Sequence, residues 1–389
     1  MENESSIMEK IVIATDSFKG SLTSQQAGNA IAEGIRMASP NTITKVVPVA
    51  DGGEGTVGTL SSSLFHINVH DPLGRQTDAE YGITKDNTAI IEIAQASGLP
   101  LLKPYERNPL ITNTYGTGEL ILDAIIRGCR KFLIGLGGSA TNDAGTGALS
   151  ALGYRFIDKN GHQLRPCGGN LKEIAKIDSS GVIPELHQCQ FTIACDVDTP
   201  FCGPNGAACV FAPQKGANSD MVQQLDAGMK SFADVVERYC GIQLHDMLGS
   251  GAAGGVGGGL KAFLGANLRP GIEMVLDALN FSRIITGCQL VITGEGKMDS
   301  QTLKGKTPSG VLKYAAAQHI PVIAFCGRLE DRDALSDAGF AGIYEVNAHG
   351  LPQEKAMLPD TAARNLRDTV YRTFSSSGPG CLPVNAHHV

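Results

Sequence analysis

The chain has 389 residues, enough for two or three domains with a sizeable core, and its 48 glycines follow no collagen-like period. A net charge of −7 removes the electrostatic grounds for binding nucleic acid or an acidic membrane surface. No run of 18 consecutive apolar residues is present to span a bilayer.

Ten cysteines are scattered along the chain without a CxxC pair or zinc spacing, mostly inside apolar runs where a thiol acts as a small hydrophobe. A reducing, cytoplasmic setting is expected. The first residues, MENESSIMEK, are acidic and carry no apolar signal core. Residues 1–8 and 377–389 read as loose termini.

In chain order, KIVIA (10–14) reads as a strand followed by the polar loop TDSFKG, then by a helix from about Ser24 to Met37 with one apolar face. Ile43 to Val49 is a second strand, ending in ADGGEGT, so a right-handed β-α-β unit is expected. Residues 64–94 alternate and turn in the manner of antiparallel strands, which marks the start of an inserted domain. A helix is expected from Thr114 to Gly128, a strand at KFLIGL (131–136) before GLGGSATND, and a hairpin around Lys159-Asn160-Gly161. Gln190 to Ala194 reads as a strand entering Cys195-Asp196-Val197-Asp198, ACVF (208–211) as another, and 219–240 as a long amphipathic helix. Strands are also expected at 290–293, 321–326 and 342–346, and a closing helix around Ala362 to Phe374. The fold class is α/β: a doubly wound parallel-sheet domain (9–64, 113–153 and 281–376) with a second, mixed α/β domain (65–112 and 154–280) inserted into it.

Two glycine-rich stretches resemble phosphate-binding motifs without matching them. Ser300 to Thr307 fits the P-loop pattern except that Ser300 stands where the first glycine belongs, and the strand before it is expected to end several residues too early. Gly249, Gly251 and Gly254 fit GxGxxG, but no clear strand precedes them, so a tight turn into a closely packed helix is expected there. Thr307 is placed to cap the following helix, with Pro308 at its first position.

Five loops beyond apolar runs carry carboxylates: TDSFKG, ADGGEGT, GLGGSATND, ACDVDTP and ITGEGKMD. Asp is common in turns, yet five such loops in one α/β chain point to a shared end of a sheet, where parallel sheets bind ligands. Carboxylates, glycine amides and lysines (Lys19, Lys215, Lys304, Lys306) suit Mg²⁺–nucleotide phosphates and phosphoryl transfer. No GxSxG elbow is present, and the histidines share no pattern.

SFKGSL (17–22), VADGGEGTV (49–57), RNPL (107–110), YGTGELI (115–121), GLGGSATNDAGTG (135–147), ACDVDTPFCGPNGAA (194–208), APQKGA (212–217), LRPGIE (268–273) and ITGEGKMDSQTLKGK (292–306) together resemble the bacterial glycerate kinase family of the first type. The resemblance runs in order from about Lys10 to Val370. It departs from the family's usual residues at Thr15, commonly proline, and at Cys209, commonly small. It implies D-glycerate and ATP giving 2-phosphoglycerate and ADP with Mg²⁺, and two α/β domains with a cleft between them. It alone implies the 2-hydroxyl as acceptor.

A secondary hydroxyl of high pKa calls for a carboxylate base, and Asp196 is the candidate, with Asp198 in support. Lys19 is expected to neutralise charge on the moving phosphoryl group. Ser17, Gly137, Gly138, Ser139, a Gly294-Glu295-Gly296 turn and Lys306 are expected to hold the nucleotide. Asp299 or Glu295, with Asp16, is expected to reach Mg²⁺. Asp51, Glu54 and Lys215 are assigned to the glycerate side, Asp51 and Glu54 also to the metal. Arg107 or Arg269 is expected on the substrate carboxylate, which a guanidinium matches in a two-point fork. A kinase of another small hydroxy or sugar acid, or a non-enzymatic nucleotide-binding sensor, remains open at this point. So does the oligomeric state, a homo-oligomer included.

Overall fold

The structure, a computed structural model, describes residues 10–53, 55–348 and 350–376. Thirteen strands are described. In chain order they are β1 (Lys10–Ile13), β2 (Ile43–Val46), β3 (Ser63–His70), β4 (Gln76–Ile83), β5 (Thr88–Glu92), β6 (Lys131–Gly135), β7 (Arg155–Ile157), β8 (Lys176–Asp178), β9 (Gln190–Ala194), β10 (Asn267–Arg269), β11 (Leu290–Met298), β12 (Val322–Leu329) and β13 (Gly342–Glu345). The chain forms two compact units: one made of residues up to Asp51 and from Val275 onward, the other of Gly52–Met274.

The first unit holds a parallel sheet in the order β13-β12-β11-β1-β2. Ile11 and Ile13 face one side of it, Val12 the other, because successive side chains alternate across a strand. Ile11, Ile13, Ile292, Ile323 and Phe325 pack against the helices Ser24–Ala38 and Pro359–Ser376 through Ile31, Ile35, Leu366 and Val370. The helix Thr307–Ala316 lies against β11 and β12, burying Val311 and Ala315. Helices therefore cover both faces, and the central strands carry buried apolar runs (11–13, 290–292 and 322–325), whereas the edge strands β2 and β13 have no buried residue. Each fully buried Ile, Val or Phe contributes roughly 1.5–3 kcal/mol to that burial.

The second unit holds a mixed sheet in the order β10-β9-β6-β5-β4-β3, parallel from β10 to β5 and antiparallel from β5 to β3. Phe132 and Phe191 stack on neighbouring strands at 4.7 Å. The helix Ser219–Cys240, capped by Asn218, buries Leu225, Met229, Phe232 and Val236.

Four expectations change. Residues 113–153, and 52–64 with them, were assigned to the doubly wound domain, but β6 pairs with β5 and β9 in the second sheet. An apolar KFLIG strand fits either parallel sheet, and pairing is a non-local choice. ACVF is helical (Ala207–Phe211) rather than extended, a run too short for its period to decide. Thr307 lies inside its helix rather than capping it; Lys306 is the cap residue, and Pro308 follows Thr307. Last, β11 does not stop at Thr293. It runs to Met298, with Gly294, Glu295 and Lys297 in register with Phe325, Cys326 and Arg328. Gly294 is there for close approach: a Cβ on it would lie 2.1 Å from the Phe325 carbonyl oxygen.

The Gly249–Gly259 stretch packs as expected. Ala253, Gly254 and Gly255 have positive φ, and a Cβ on Gly254 or Gly259 would meet the Thr141 or Ala144 carbonyl at 2.2 or 2.0 Å. These glycines let the helix Ala252–Leu264 sit directly on the loop after β6.

Candidate active site

Each unit carries a constellation of the expected residues at the carboxyl ends of its parallel strands.

In the first unit, chain order reverses between β1 and β11, which are neighbours in the sheet. Such a switch point leaves a crevice beyond the strand ends. A cavity of about 740 Å³ occupies it, with Asp16, Ser17, Lys19, Glu295, Gly296 and Lys306 in its lining. Asp16 is almost fully buried; its backbone N–H donates to the Gly294 carbonyl at 2.9 Å, which sets it beside Glu295. The Asp16 carboxylate accepts from the Ser17 N–H at 2.6 Å and from the Thr307 hydroxyl at 3.0 Å. Burial, reinforced by Asp51, pushes the Asp16 carboxyl above the usual range, against these donors and Lys19.

Glu295 accepts from the Thr302 hydroxyl at 2.7 Å and is also pushed up, first by burial and then by Asp16 and Asp299. Lys306 Nζ stands 3.8 Å from Glu295 and 3.9 Å from Asp299. Asp299 also meets Lys297 at 3.1 Å; burial acts on it in the upward direction, but the two lysines outweigh it and hold the carboxyl low. Lys19 is 80% exposed and 3.7 Å from Asp51, a contact worth little to stability and open to a ligand. Gly294 is buried within the sheet, so it lends no turn amide. Glu54 lies outside the described residues.

Among the described residues no three His, Cys, Asp or Glu side chains gather as a metal cluster. Mg²⁺ does not need one: it keeps waters and is held by one or two carboxylates plus substrate phosphates. Asp16 suits that role, being a buried oxygen donor whose ionised form gains from a cation. Asp299 is already drawn to two lysines.

In the second unit, the turn at Gly52-Gly53 lies over the ends of β6 and β9. A Cβ on Gly52 would meet Ala194 and Gly271, one on Gly135 would meet the Gly52 carbonyl, and one on Gly137 would come within 3.7 Å of Gly53. Asp196, two residues beyond β9, accepts from the Gly271 N–H at 2.8 Å, at the start of the helix Gly271–Ala278. Gly137, Gly138 and Ser139 follow β6. Lys215 reaches into that loop and donates to Ser139 Oγ at 2.8 Å and to the Thr141 carbonyl at 2.6 Å. Arg107 packs on the Gly216 backbone, and its Nε is buried with no partner, as are Thr141 Oγ1 and Asn142 Oδ1. Arg269 is 3.8 Å from Glu273, at the far limit of an ion pair.

Lys215 is fully buried, and burial pushes its amine from an ordinary 10.5 down to about 7, with Asp143 opposing. The folded protein therefore sheds this proton near neutrality while the unfolded chain keeps it until about pH 10. Between those values the unfolded state binds more protons, so this group's contribution to stability rises with pH. Lys215→Met should lose that slope: from pH 7 to pH 9 the thermal midpoint of the native chain should gain on the variant's. A difference that stays constant across this range would show that Lys215 is charged in the fold.

Several contributors escape a reading by motif. Thr302 and Thr307 each orient a buried carboxylate, and Arg328 and Asn347 line the cavity from the ends of β12 and β13. Asp143 is buried and accepts from Thr114 N–H and hydroxyl and from the Gly145 and Gly147 amides, tying two helix starts together. Its place in GGSATND was the one signal of it in the sequence.

The sequence profile of the glycerate kinase family matches residues 11–377. The glycerate kinase of Halalkalibacterium halodurans is 45% identical over 92% of this chain and 97% of its own length. The glycerate 2-kinase of Escherichia coli K12 is 44% identical over 93% and 95%. A crystal structure from Salmonella typhimurium LT2, of a protein assigned as glycerate kinase 2, superposes with a TM-score of 0.86 at 41% identity, covering 95% of this chain and 98% of that one. The family these matches define is one of kinases, and the chain belongs to it: the glycerate kinase family. No helix among the described residues is long and apolar enough to cross a membrane.

Proposed function

We propose that this protein transfers the γ-phosphoryl group of ATP to the 2-hydroxyl of D-glycerate, releasing 2-phosphoglycerate and ADP. The observation that carries this reading is the switch-point cavity, where buried Asp16 and Glu295 face Lys306 and Lys19. The relatives' names supply the substrate.

In this mechanism Lys306 and Lys19 lie against the phosphate oxygens and offset charge that builds as the bond to the leaving oxygen lengthens. Ser17 and Gly296 line the same cavity and offer polar contacts to the phosphate chain. Mg²⁺, when bound, neutralises and orients the phosphates, and Asp16 with Glu295 would hold it. Asp196 accepts the proton of the 2-hydroxyl as the new O–P bond forms; its tie to the Gly271 N–H keeps the carboxylate still for that transfer. Arg107, with an unpaired buried Nε, is the better candidate for the substrate carboxylate than Arg269. Lys215 and Ser139 shape the loop beside it.

The reading is tested by coupled ADP release with D-glycerate, L-glycerate, glycolate and small sugar acids. D-Glycerate should give the highest kcat/KM. ATP binding without acid-dependent ADP would mark a sensor instead, and a better acid would replace glycerate as the substrate.

A further inference from the structure

The loop after β6 holds a serine and a lysine to which phosphoryl transfer gives no chemical step. Ser139 is clamped from both sides: the Leu99 N–H donates to the Gly138 carbonyl at 2.9 Å, and the Ala140 N–H to the Ser97 carbonyl at 2.8 Å. Lys215 ends a short helical turn, Pro213–Lys215, and Gly216 follows it with φ of +97°. A Cβ on Gly216 would lie 2.3 Å from the Arg107 carbonyl oxygen, so glycine is what lets this turn close down and send the lysine inward. Lys215 Nζ then stands 2.8 Å from Ser139 Oγ and 2.6 Å from the Thr141 carbonyl oxygen, out of contact with water.

We propose that Ser139 is a nucleophile and Lys215 its general base, so that the second unit cleaves small acyl esters. A neutral amine has two N–H groups and one lone pair. The Thr141 carbonyl can only accept, so it takes an N–H and leaves the lone pair to the Ser139 hydroxyl. Nucleophile, base and orienting group are then in line, the arrangement of acyl-transfer sites, here without a histidine. Burial holds the Lys215 amine near 7 rather than 10.5, which frees it as a base in mildly alkaline solution. Of the charged residues on the segments packed around it, Asp143 opposes that shift and Arg107 brings no negative charge. The amides of Gly137, Gly138 and Ser139 have no protein partner among the described residues, and they lie beyond the carboxyl end of a parallel strand, where they can receive an oxyanion. Ser139 Oγ adds to the ester carbonyl carbon as its proton passes to Lys215 Nζ. The alcohol leaves with that proton. Water, deprotonated by the same amine, then releases the acid and restores the serine. Ser139 is almost fully buried, so the acyl group must be short.

The full chain with p-nitrophenyl acetate tests this. Acid quench and peptide mass spectrometry should find an acetyl group on Ser139. The rate of p-nitrophenol release above that of Ser139→Ala should rise with pH, be half-maximal near pH 7 and then level off, because only the neutral amine is a base. Lys215→Arg, which stays charged, and Lys215→Met should each lower that rate by at least about tenfold. Acetyl groups on other residues with none on Ser139 overturn the proposal. So does a Ser139-dependent rate that is unchanged in Lys215→Arg. If the Lys215 variants do not fold, the native chain decides: a purely structural pair gives neither acetylserine nor a rise through pH 7.

Discussion

Asp196→Asn is expected to lower kcat by about a hundredfold or more while KM for ATP stays near its native value. An amide has nearly the shape of the carboxylate, and its oxygen can still accept from the Gly271 N–H, so the loop after β9 keeps its position. What it loses is the ability to take a proton from a hydroxyl whose pKa lies far above neutrality. The loss is confined to the transition state, so it appears in kcat and in kcat/KM together. Steady-state rates at saturating ATP and glycerate read it. Turnover within a few fold of native would remove Asp196 as the base and shift attention to Asp198.

Asp16→Asn is expected to raise the Mg²⁺ concentration for half-activation by at least about tenfold and to lower kcat/KM for ATP accordingly. The substitution is mild for the fold. The amide oxygen can accept from the Ser17 N–H, and the Thr307 hydroxyl can rotate to accept from the amide nitrogen. Burial already disfavours the charged carboxyl, so the variant should melt at the native temperature or above it. That separates a cation role from a structural one: a scaffold residue would lose stability, a cation ligand loses Mg²⁺ response. An unchanged Mg²⁺ titration would leave Glu295 or Asp299 as the group concerned.

The sequence made the local elements legible where their period was long or their punctuation strong. The helix Ser219–Cys240 begins and ends where its apolar face and its flanking Asn218 and Gly241 put it. The antiparallel strands β3 and β4 followed from alternation and a Pro/Gly turn. Non-local choices were not legible. Nothing in KFLIG says which of the two sheets it joins, and Gly294 marks close contact with β12 rather than a turn. In the first unit the motif residues Asp16, Ser17, Lys19, Glu295 and Lys306 do line one cavity, because their strands end side by side. The threonines that orient two of these carboxylates, and the wall beyond β13, depend on tertiary packing and left no mark in the spacing.

Phosphorus NMR of the product from D-glycerate and ATP tests the central claim most directly. Phosphate on the 2-oxygen has a single proton on the adjoining carbon and should appear as a doublet, together with the signals of ADP. A triplet, from phosphate on the 3-oxygen beside a CH₂ group, or ADP formed with inorganic phosphate alone, would contradict it.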